Sequence, residues 1–251
     1  MIYGDVRIGA HCLFSLHTFV TSTSHRFRDR PEWLIRDQDE YFARFPAGAV
    51  DLPSRRVQIE EDCLFGWCAV VLPGVYIGRG AVIGANCVVT SDVAPYEVHA
   101  GVPNRKLFDR LIFQPPARIE AGEDSSIPYF YRGFVLGREA LRRSREAGIV
   151  EARRKACIVL GVADTVRVRL KGQQPSAVDG LLLRVRINSR DAGEHLLGPG
   201  KFDLIVTGEG RRHNGDAAVP VALGKCTYVE LETVSPSLDR PGLGIGTAEL
   251  C

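Results

Sequence analysis

Large apolar residues recur at every sixth position in the first part of the chain. The positions are Ile2, Ile8, Phe14 and Val20, followed after an interruption by Ile59, Phe65, Val71, Ile77, Ile83 and Val89. The fifth residue of each six-residue unit is small. A period of six fits neither a strand nor a helix, which repeat about every 2 and 3.6 residues. It predicts a triangular parallel β-helix in which each unit forms one side and one corner, three units form a coil, and the first and fifth residues point inward.

Glycine and cysteine recur at fixed positions of this repeat, which predicts their structural roles. Glycine fills the second position of four units, at Gly9, Gly66, Gly78 and Gly84. We expect a tight corner with an unusual φ at these positions. Cysteine fills the small inward position at Cys12, Cys63 and Cys87. We interpret these cysteines as packing residues rather than as ligands or nucleophiles.

The repeat is interrupted between Val20 and Ile59. Residues 26–56 carry charges, aromatic residues and three prolines in place of the pattern. We expect a long loop extruded from the coil. Loops of this length in compact domains are usually functional or disordered, and the aromatic content favours an ordered, functional loop.

The pattern changes again after Leu107. Residues 104–112 and 137–148 predict short helices, and residues 112–151 are expected to form a linker that contains the second of them. From about residue 152, apolar and polar residues alternate, as in the run from Leu181 to Ile187. This alternation predicts an antiparallel β-sandwich of five to eight strands over residues 152–251, of unassigned role. The β-helix domain accordingly spans residues 1–111.

Composition and charge argue against several classes of protein. The 251 residues include 32 Lys and Arg against 30 Asp and Glu, a net charge of +2. That balance argues against a nucleic-acid partner, which favours a larger excess of cations. No apolar run approaches the roughly 18–20 residues of a membrane span. The seven cysteines are scattered without a CxxC pair, which argues against a disulfide framework and favours the reducing cytoplasm.

Three stretches add a family resemblance to the repeat: Leu72–Val75 (LPGV), Val88–Tyr96 (VVTSDVAPY) and Ala100–Leu107 (AGVPNRKL). Residues 1–115 resemble the hexapeptide-repeat acyltransferases, in particular the galactoside, maltose, xenobiotic and polysaccharide O-acetyltransferases. The resemblance implies a left-handed β-helix and a homotrimer with active sites between its subunits. It also implies transfer of an acetyl group from acetyl-CoA to a hydroxyl or, less often, to an amine.

The resemblance places the general base at His25, directly before the loop. Neutral imidazole is suited to removing the proton of a sugar hydroxyl near pH 7. Many relatives carry Asp or a second His beside the base, whereas Ser24 and Arg26 flank His25 here. We therefore expect a backbone carbonyl or a loop carboxylate to orient the ring. Direct transfer also needs a donor to the thioester oxyanion, which we expect at a backbone N–H near the Gly66–Trp67 corner.

The same resemblance implies the contacts to acetyl-CoA. We expect the pantetheine arm to bond the backbone at Trp67 and Ala85, with Gly66 and Gly84 allowing its close approach. The nucleotide end is expected at Thr90, Ser91, Arg105 and Lys106. The Trp67 side chain is expected to stack on the acceptor sugar, to wall the thioester channel or to form a trimer contact.

The other histidines are weaker candidates. His11 and His17 occupy outward corner positions, and His99 follows the last coil. His195 and His213 have no other candidate catalytic residues near them in the sequence. Carbonic anhydrases with this fold bind zinc through three histidines at subunit interfaces, which requires a close pair of histidines after the first ligand, and the sequence between His25 and His99 has no such pair. We therefore expect no metal.

These observations favour a cytoplasmic O-acetyltransferase acting on a sugar, in particular a cell-surface glycan or its precursor. Two alternatives stay open. One is an N-acetyltransferase acting on an amino sugar, or a xenobiotic acetyltransferase. The other is a non-catalytic β-helix scaffold that uses the sandwich as its binding module.

Overall fold

The chain forms two compact units, Met1–Ile112 and Phe113–Cys251. The computed structural model describes residues 1–46, 54–162, 167–174, 180–208, 226–234 and 243–251. The strands of the first unit are β1 Ile2–Tyr3, β2 Val6–Ile8, β3 Leu13–Phe14, β4 Phe19–Thr21, β5 Val57–Ile59, β6 Leu64–Phe65, β7 Val70–Val71, β8 Tyr76–Ile77, β9 Val82–Ile83, β10 Val88–Val89, β11 Glu97–Ala100 and β12 Arg105–Asp109. Its helix is α1, Ile35–Arg44.

The strands of the first unit lie in three sheets. Their orders are β1-β4-β7-β10, β12-β11-β9-β6-β3 and β2-β5-β8. Apart from β12, the strands within each sheet are parallel, and Val70 lies opposite Val88 as Leu64 lies opposite Val82. Paired residues are thus three six-residue units apart, which is the three-sided coil that the repeat predicts. The left-handed turn of the coil stays a prediction.

The core of the first unit consists of the first and fifth residues of the units. From Ile59 to Val93 every one of these residues is at most 3% exposed. Cys63 and Cys87 belong to this cluster and Cys12 packs against it. The structure thus places all three cysteines where packing residues are expected.

The glycines of the second position have a different role from the one predicted. None of Gly9, Gly66, Gly78 and Gly84 has a positive φ. A Cβ at Gly66 would lie 2.4 Å from the backbone N of Ala85, and one at Gly78 would lie 2.5 Å from the backbone N of Pro95. Glycine is needed here because the backbones of successive coils approach closely. The left-handed conformation falls instead on the fourth position, as at His11, His17, Asp62, Cys68, Gly74, Gly80 and Asn86.

The predicted extruded loop leaves the coil after β4. An isolated bridge pairs Thr23 with Ser54, and the N–H of Arg55 donates to the carbonyl of Ser22. The coil register resumes across the loop, since Phe19 pairs with Val70. Helix α1 lies within the loop, and residues 47–53 lie outside the described residues.

The prediction of a short helix over residues 104–112 was wrong. Residues Arg105–Asp109 form β12, which runs antiparallel to β11 and extends its sheet. The Lys106 ammonium reaches across the two strands to the Glu97 carboxylate at 2.9 Å. The free edge of β11 and this cross-strand ion pair favour the strand, because a strand satisfies its backbone groups on the neighbouring edge.

The second unit is built around one antiparallel sheet. Its strands are β13 Arg118–Glu120, β14 Arg132–Phe134, β15 Val150–Leu160, β16 Arg167–Gln174, β17 Leu181–Ile187, β18 Arg190–Leu197, β19 Gly200–Thr207, β20 Thr227–Val234 and β21 Leu243–Leu250. Seven of them follow the order β18-β17-β20-β15-β21-β16-β19, while β13 pairs with β21 and β14 with β15. A 3₁₀ helix, Asp124–Tyr129, and helix α2, Arg138–Ala147, complete the unit.

The antiparallel strands agree with the predicted pattern, but the described strands are joined in one sheet rather than in the two of a sandwich. Strand β15 joins the two halves, because residues 155–160 pair with β20 and residues 150–152 pair with β21. Inward residues of both halves, such as Leu170 and Leu183, lie in a single apolar cluster. The inward residues of the whole sheet therefore share one core.

The segment predicted as a linker, residues 112–151, is part of the second unit from Phe113 onward. It contains the expected short helix, α2, which ends at Gly148 in a left-handed conformation. It also supplies β13 and β14, whose residues Ile119 and Phe134 are fully buried. Burial of these apolar side chains explains why the segment is structured.

The close approach of the coils makes a testable stability prediction. Gly78→Ala would place a methyl group against backbone, which we expect to lower the free energy of unfolding by roughly 1–3 kcal/mol. Gly84→Ala is the graded control, because its Cβ would come no closer than 3.1 Å to the Ala100 side chain and 3.3 Å to the carbonyl oxygen of His99. Both tryptophans, Trp33 and Trp67, lie in the first unit, so their fluorescence during urea unfolding measures this unit. An equal or larger loss in Gly84→Ala would contradict the account.

Candidate active site

His25 stands at the start of the extruded loop and is paired with a carboxylate. Its Nδ1 lies 2.6 Å from Oδ2 of Asp39, on helix α1. The imidazole is 84% exposed and the Asp39 side chain 32%. The structure thus supplies the loop carboxylate that sequence analysis expected in general terms but did not identify.

The Asp39 carboxylate is itself held in place. Its second oxygen, Oδ1, accepts the backbone N–H of Arg26 at 2.8 Å. Burial favours a higher pKa, but the N–H of Arg26 and the hydrogen bond and charge of His25 outweigh it and lower the pKa of Asp39 from its ordinary value of 3.8. Because the folded-state pKa is lowered, the stabilisation from this carboxylate is present above pH 3.8 and is lost as the pH falls through the lowered pKa.

The pairing fixes which imidazole nitrogen can act as a base. An ionised carboxylate only accepts hydrogen bonds, so Nδ1 of His25 must carry the proton that it shares with Asp39. In the neutral ring, Nε2 then has a lone pair and no proton. His25 therefore has the arrangement of a general base whose tautomer is set by a carboxylate.

Two buried side chains, those of Gln38 and Phe42, hold helix α1 in place. Gln38 is 1% exposed; it accepts the N–H of Arg30 at 3.0 Å and donates to the carbonyl of Trp33 at 3.3 Å. Phe42 lies on the same helix face, one turn later, under the guanidinium of Arg26 at 5.5 Å. These buried contacts fix the helix that carries Asp39.

Trp67 lies at an exposed corner of the coil. Its side chain is 55% exposed and its ring centroid is 6.1 Å from that of His17. The N–H of Gly66 donates to the carbonyl of Ile83, and the carbonyl of Trp67 accepts the N–H of Asn86. These two groups are therefore already used in stacking the coils.

The backbone N–H of Trp67 is the donor that the corner leaves available. Within the described ranges it has no acceptor, and the same holds for the N–H of Ala85. Ala85 occupies the same position one coil further along, so the two amides share one corner. Trp67 and Ala85 are the residues at which sequence analysis expected the pantetheine arm to bond the backbone, whereas Gly66 and Gly84 use their N–H groups within the coil.

The structure does not bring His25 and Trp67 into contact within one chain. His25 follows β4 and Trp67 follows β6, which lie in different sheets. Among residues 1–46 and 54–112 no hydrogen bond, ion pair or ring contact joins the two. The contacts within one chain therefore do not form a catalytic site that contains both His25 and Trp67.

The residues expected at the nucleotide end lie after the last coil, together with a residue that sequence analysis missed. Thr90 and Ser91 are exposed and hydrogen-bonded to the buried side chain of Asn104. Lys106 is paired with both Glu97 and Asp109, at 2.9 and 2.8 Å. Arg105 is exposed and forms no ion pair in the described part of the chain. The AGVPNRKL stretch contained Asn104, but its contacts across fourteen residues left no signal in the sequence.

Among the described residues, no other histidine is hydrogen-bonded to Asp39. His11 and His17 have φ values of 64° and 61° at the fourth position of their units. His99 is 6% exposed and hydrogen-bonded on both ring nitrogens. His195 lies in β18, and His213 lies outside the described residues. Where the chain is described, no three His, Cys, Asp or Glu residues are grouped as metal ligands, and no helix has the length and apolar character to span a membrane.

Residues 56–91 match the family model of the hexapeptide repeat of succinyl-transferase, which confirms the repeat inferred from the sequence. Curated relatives include two 2,3,4,5-tetrahydropyridine-2,6-dicarboxylate N-acetyltransferases. That of Ligilactobacillus salivarius is 55% identical over 64 residues, 25% of this chain and 27% of the relative. That of Staphylococcus aureus is 47% identical over 58 residues, 23% and 24% of the two chains. The chain thus spans about a quarter of the length of these relatives.

Solved structures of similar proteins include a galactoside acetyltransferase in complex with coenzyme A. It is 29% identical with a TM-score of 0.33, over 41% of this chain and 44% of that one. A polysialic acid O-acetyltransferase is 18% identical with a TM-score of 0.35, over 45% and 49% of the two chains. A Vibrio cholerae hexapeptide-repeat acetyltransferase complexed with acetyl-CoA is 24% identical with a TM-score of 0.29, over 44% and 60%.

The role of Asp39 in holding the loop can be tested by limited trypsin digestion. Asp39→Ala removes both the partner of His25 and the acceptor for the Arg26 N–H. We expect cleavage after the exposed Arg28 to accelerate roughly tenfold, because hydrogen bonds to a charged group are lost and local opening becomes easier. Glu40→Ala, the adjacent exposed acid on the same helix, should leave the rate unchanged. Equal rates in both variants would show that Asp39 does not hold the loop.

Proposed function

We propose that this chain, whose N-terminal unit belongs to the hexapeptide-repeat proteins, transfers an acetyl group from acetyl-CoA to a hydroxyl of a sugar or glycan. The observation that carries the proposal is the His25–Asp39 pair, 2.6 Å apart at the mouth of the extruded loop. An exposed imidazole with a carboxylate on Nδ1 is the arrangement that general-base catalysis needs. A scaffold protein would have no use for it.

The proposed reaction is a direct transfer. Nε2 of His25 removes the proton of the acceptor hydroxyl as its oxygen attacks the thioester carbonyl carbon. The new C–O bond forms and the C–S bond breaks. The CoA thiolate that leaves then receives from Nε2 the proton that came from the acceptor hydroxyl. Asp39 stabilises the imidazolium that exists between these two proton transfers, which is the role of a carboxylate on the far nitrogen.

The backbone N–H of Trp67 is the proposed donor to the oxyanion. It is one of the two amides left available at this corner, because the Gly66 N–H donates to Ile83. A pre-positioned N–H stabilises the charge that develops on the carbonyl oxygen without reorganisation. The Ala85 N–H, one coil further along, would bond the pantetheine arm.

The nucleotide end of acetyl-CoA is proposed to bind at Thr90, Ser91 and Arg105. Arg105 is the cation that the geometry favours for the phosphates, since Lys106 already balances Glu97 and Asp109. Gly66 and Gly84 contribute by the absence of a side chain, which keeps the coil edge accessible. The side chain of Trp67 is then available to contact the acceptor sugar.

We propose a homotrimer in which two subunits complete each site. His25 is 84% exposed in the single chain and does not contact Trp67, so a neighbouring copy would supply the corner that faces the imidazole. The second unit is proposed either to bind the glycan acceptor or to extend the trimer contact. The seven free thiols support the proposed cytoplasmic location.

A second candidate is N-acetylation, because the two curated relatives above are named N-acetyltransferases. A general base serves both reactions, so the site alone does not choose the acceptor. Mild alkali cleaves acetyl esters and leaves acetyl amides intact. Treating the product in this way separates the two candidates.

The proposed roles predict a graded loss of activity. Purified protein is supplied with acetyl-CoA and a panel of galactoside, sialic acid oligosaccharide and glucosamine, and release of the CoA thiol is followed. His25→Asn should lower kcat by about 10²–10⁴-fold. Asp39→Ala should lower it less, roughly 10–100-fold, because the base is present but not oriented. CoA affinity, measured by calorimetry, should be unchanged in both.

Two matched variants serve as controls. His11→Asn replaces a histidine in the left-handed conformation, which Asn tolerates, and Glu40→Ala replaces the acid next to Asp39. Both should keep wild-type rates. Full activity in His25→Asn would overturn the proposed mechanism, and failure of the wild type to bind CoA would favour the scaffold.

A further inference from the structure

A buried amide lies beneath the exposed turn that follows the last coil. Asn104 is 7% exposed, and its backbone N–H donates to the carbonyl of Val88 at 2.9 Å. Above it are the exposed residues Thr90 and Ser91. The side chain of Asn104 contacts both, so its orientation decides what this turn can offer a ligand.

Two unambiguous partners fix the orientation of the amide. The backbone N–H of Thr90 can only donate, and Oδ1 of Asn104 lies 2.9 Å from it. The carbonyl of Ser91 can only accept, and Nδ2 of Asn104 lies 3.5 Å from it. The reversed amide would set donor against donor and acceptor against acceptor.

A buried histidine supports the same orientation. Nδ2 of Asn104 also lies 3.0 Å from Nδ1 of His99, which must therefore accept. The proton of the neutral ring is then on Nε2, which donates to Oε2 of Glu97 at 2.9 Å. The other oxygen of Glu97 is paired with Lys106. Burial favours a higher pKa, but the hydrogen bonds from Lys106 and His99 outweigh it and lower the pKa of Glu97, which keeps this acceptor ionised.

The fixed amide determines the polarity of the two hydroxyls. The Thr90 and the Ser91 hydroxyl both donate toward Oδ1 of Asn104, each at 3.3 Å, and they share the lone pair that the Thr90 N–H leaves on this oxygen. A hydroxyl has one hydrogen, so each oxygen presents only lone pairs to the solvent. Two exposed groups that can ordinarily donate or accept are thereby restricted to accepting.

We propose that Asn104 is a positioning residue that makes Thr90 and Ser91 an acceptor-only subsite, selective for a hydrogen-bond-donating group of the bound nucleotide, such as the amino group of its base. The inference rests on the proposed function, in which these residues and Arg105 hold the nucleotide end of acetyl-CoA. Asn104 does not touch the substrate and acts through the two hydroxyls.

The test compares two acetyl donors. Acetyl-CoA has the nucleotide, whereas S-acetyl-pantetheine lacks it. Asn104→Ala leaves both hydroxyls in place but free to rotate, so the ligand must orient them itself, and we expect KM for acetyl-CoA to rise roughly two- to fivefold, less than the loss of the hydrogen bonds themselves would cause. The kcat/KM for S-acetyl-pantetheine should be unchanged, which a general loss of structure would not allow.

A second variant keeps the test informative if Asn104→Ala is poorly folded. The double variant Thr90→Val/Ser91→Ala removes the acceptors but leaves Asn104, and it should show a larger rise in KM for acetyl-CoA alone, roughly five- to tenfold, the worth of one or two hydrogen bonds. Adding Asn104→Ala to it should have no further effect, because the residues act as one unit. Tryptophan fluorescence checks that each variant is folded.

The outcomes separate the inference from the proposed function. If Asn104→Ala weakens both donors equally, or neither, the inference is overturned and the proposed function stands. If the wild-type protein neither binds CoA nor releases thiol from either donor, both are overturned. A rise in KM that is confined to acetyl-CoA supports both the inference and the proposed function.

Discussion

The N-terminal unit depends on one constraint, the register that lays the backbone of each coil on that of the next, three six-residue units away. The second position must be glycine where a Cβ would meet the neighbouring backbone, as Gly66 would meet Ala85 at 2.4 Å. The fourth position adopts a left-handed φ in seven of the ten units, as at Cys68 and Asn86. The N–H groups of the second and fourth positions are then used between coils, while that of the third position is left out at Trp67 and Ala85. The constraint that stacks the coils therefore also creates a corner with available donors.

The extruded loop adds what a repeating coil does not provide. A coil places each side chain in a fixed direction, so a base and its partner need a segment that leaves the coil and returns. The loop begins beside a coil strand that keeps its register, with Phe19 opposite Val70. Helix α1, seated by the buried Gln38 and Phe42, then brings Asp39 back to His25. The rigid coil and the helix together fix the imidazole more closely than an unstructured loop would.

The sequence predicted those features that are encoded by local pattern. The period of six identified the three-sided coil, and its interruption identified the loop, while His25 was expected as the base only from the family resemblance. Asp39 and Asn104 were not identified, because their partners are thirteen or fourteen residues away and depend on how α1 and β11 fold back. Residues 105–109 were expected to be helical, since the edge of β11 that makes them a strand is a tertiary feature. The alternation in the second unit predicted strands, but pairing through β15 decided that they form one sheet.

The central claim is that Asp39 holds the proton on Nδ1 of His25 and leaves Nε2 as the base. The ¹⁵N chemical shifts of the imidazole nitrogens, assigned by comparison with His25→Asn, show directly which nitrogen carries the proton. The account predicts a protonated Nδ1 and an unprotonated Nε2 in the neutral ring of the native protein, and loss of that preference in Asp39→Ala. A neutral ring with its proton on Nε2 in the native protein would contradict the account.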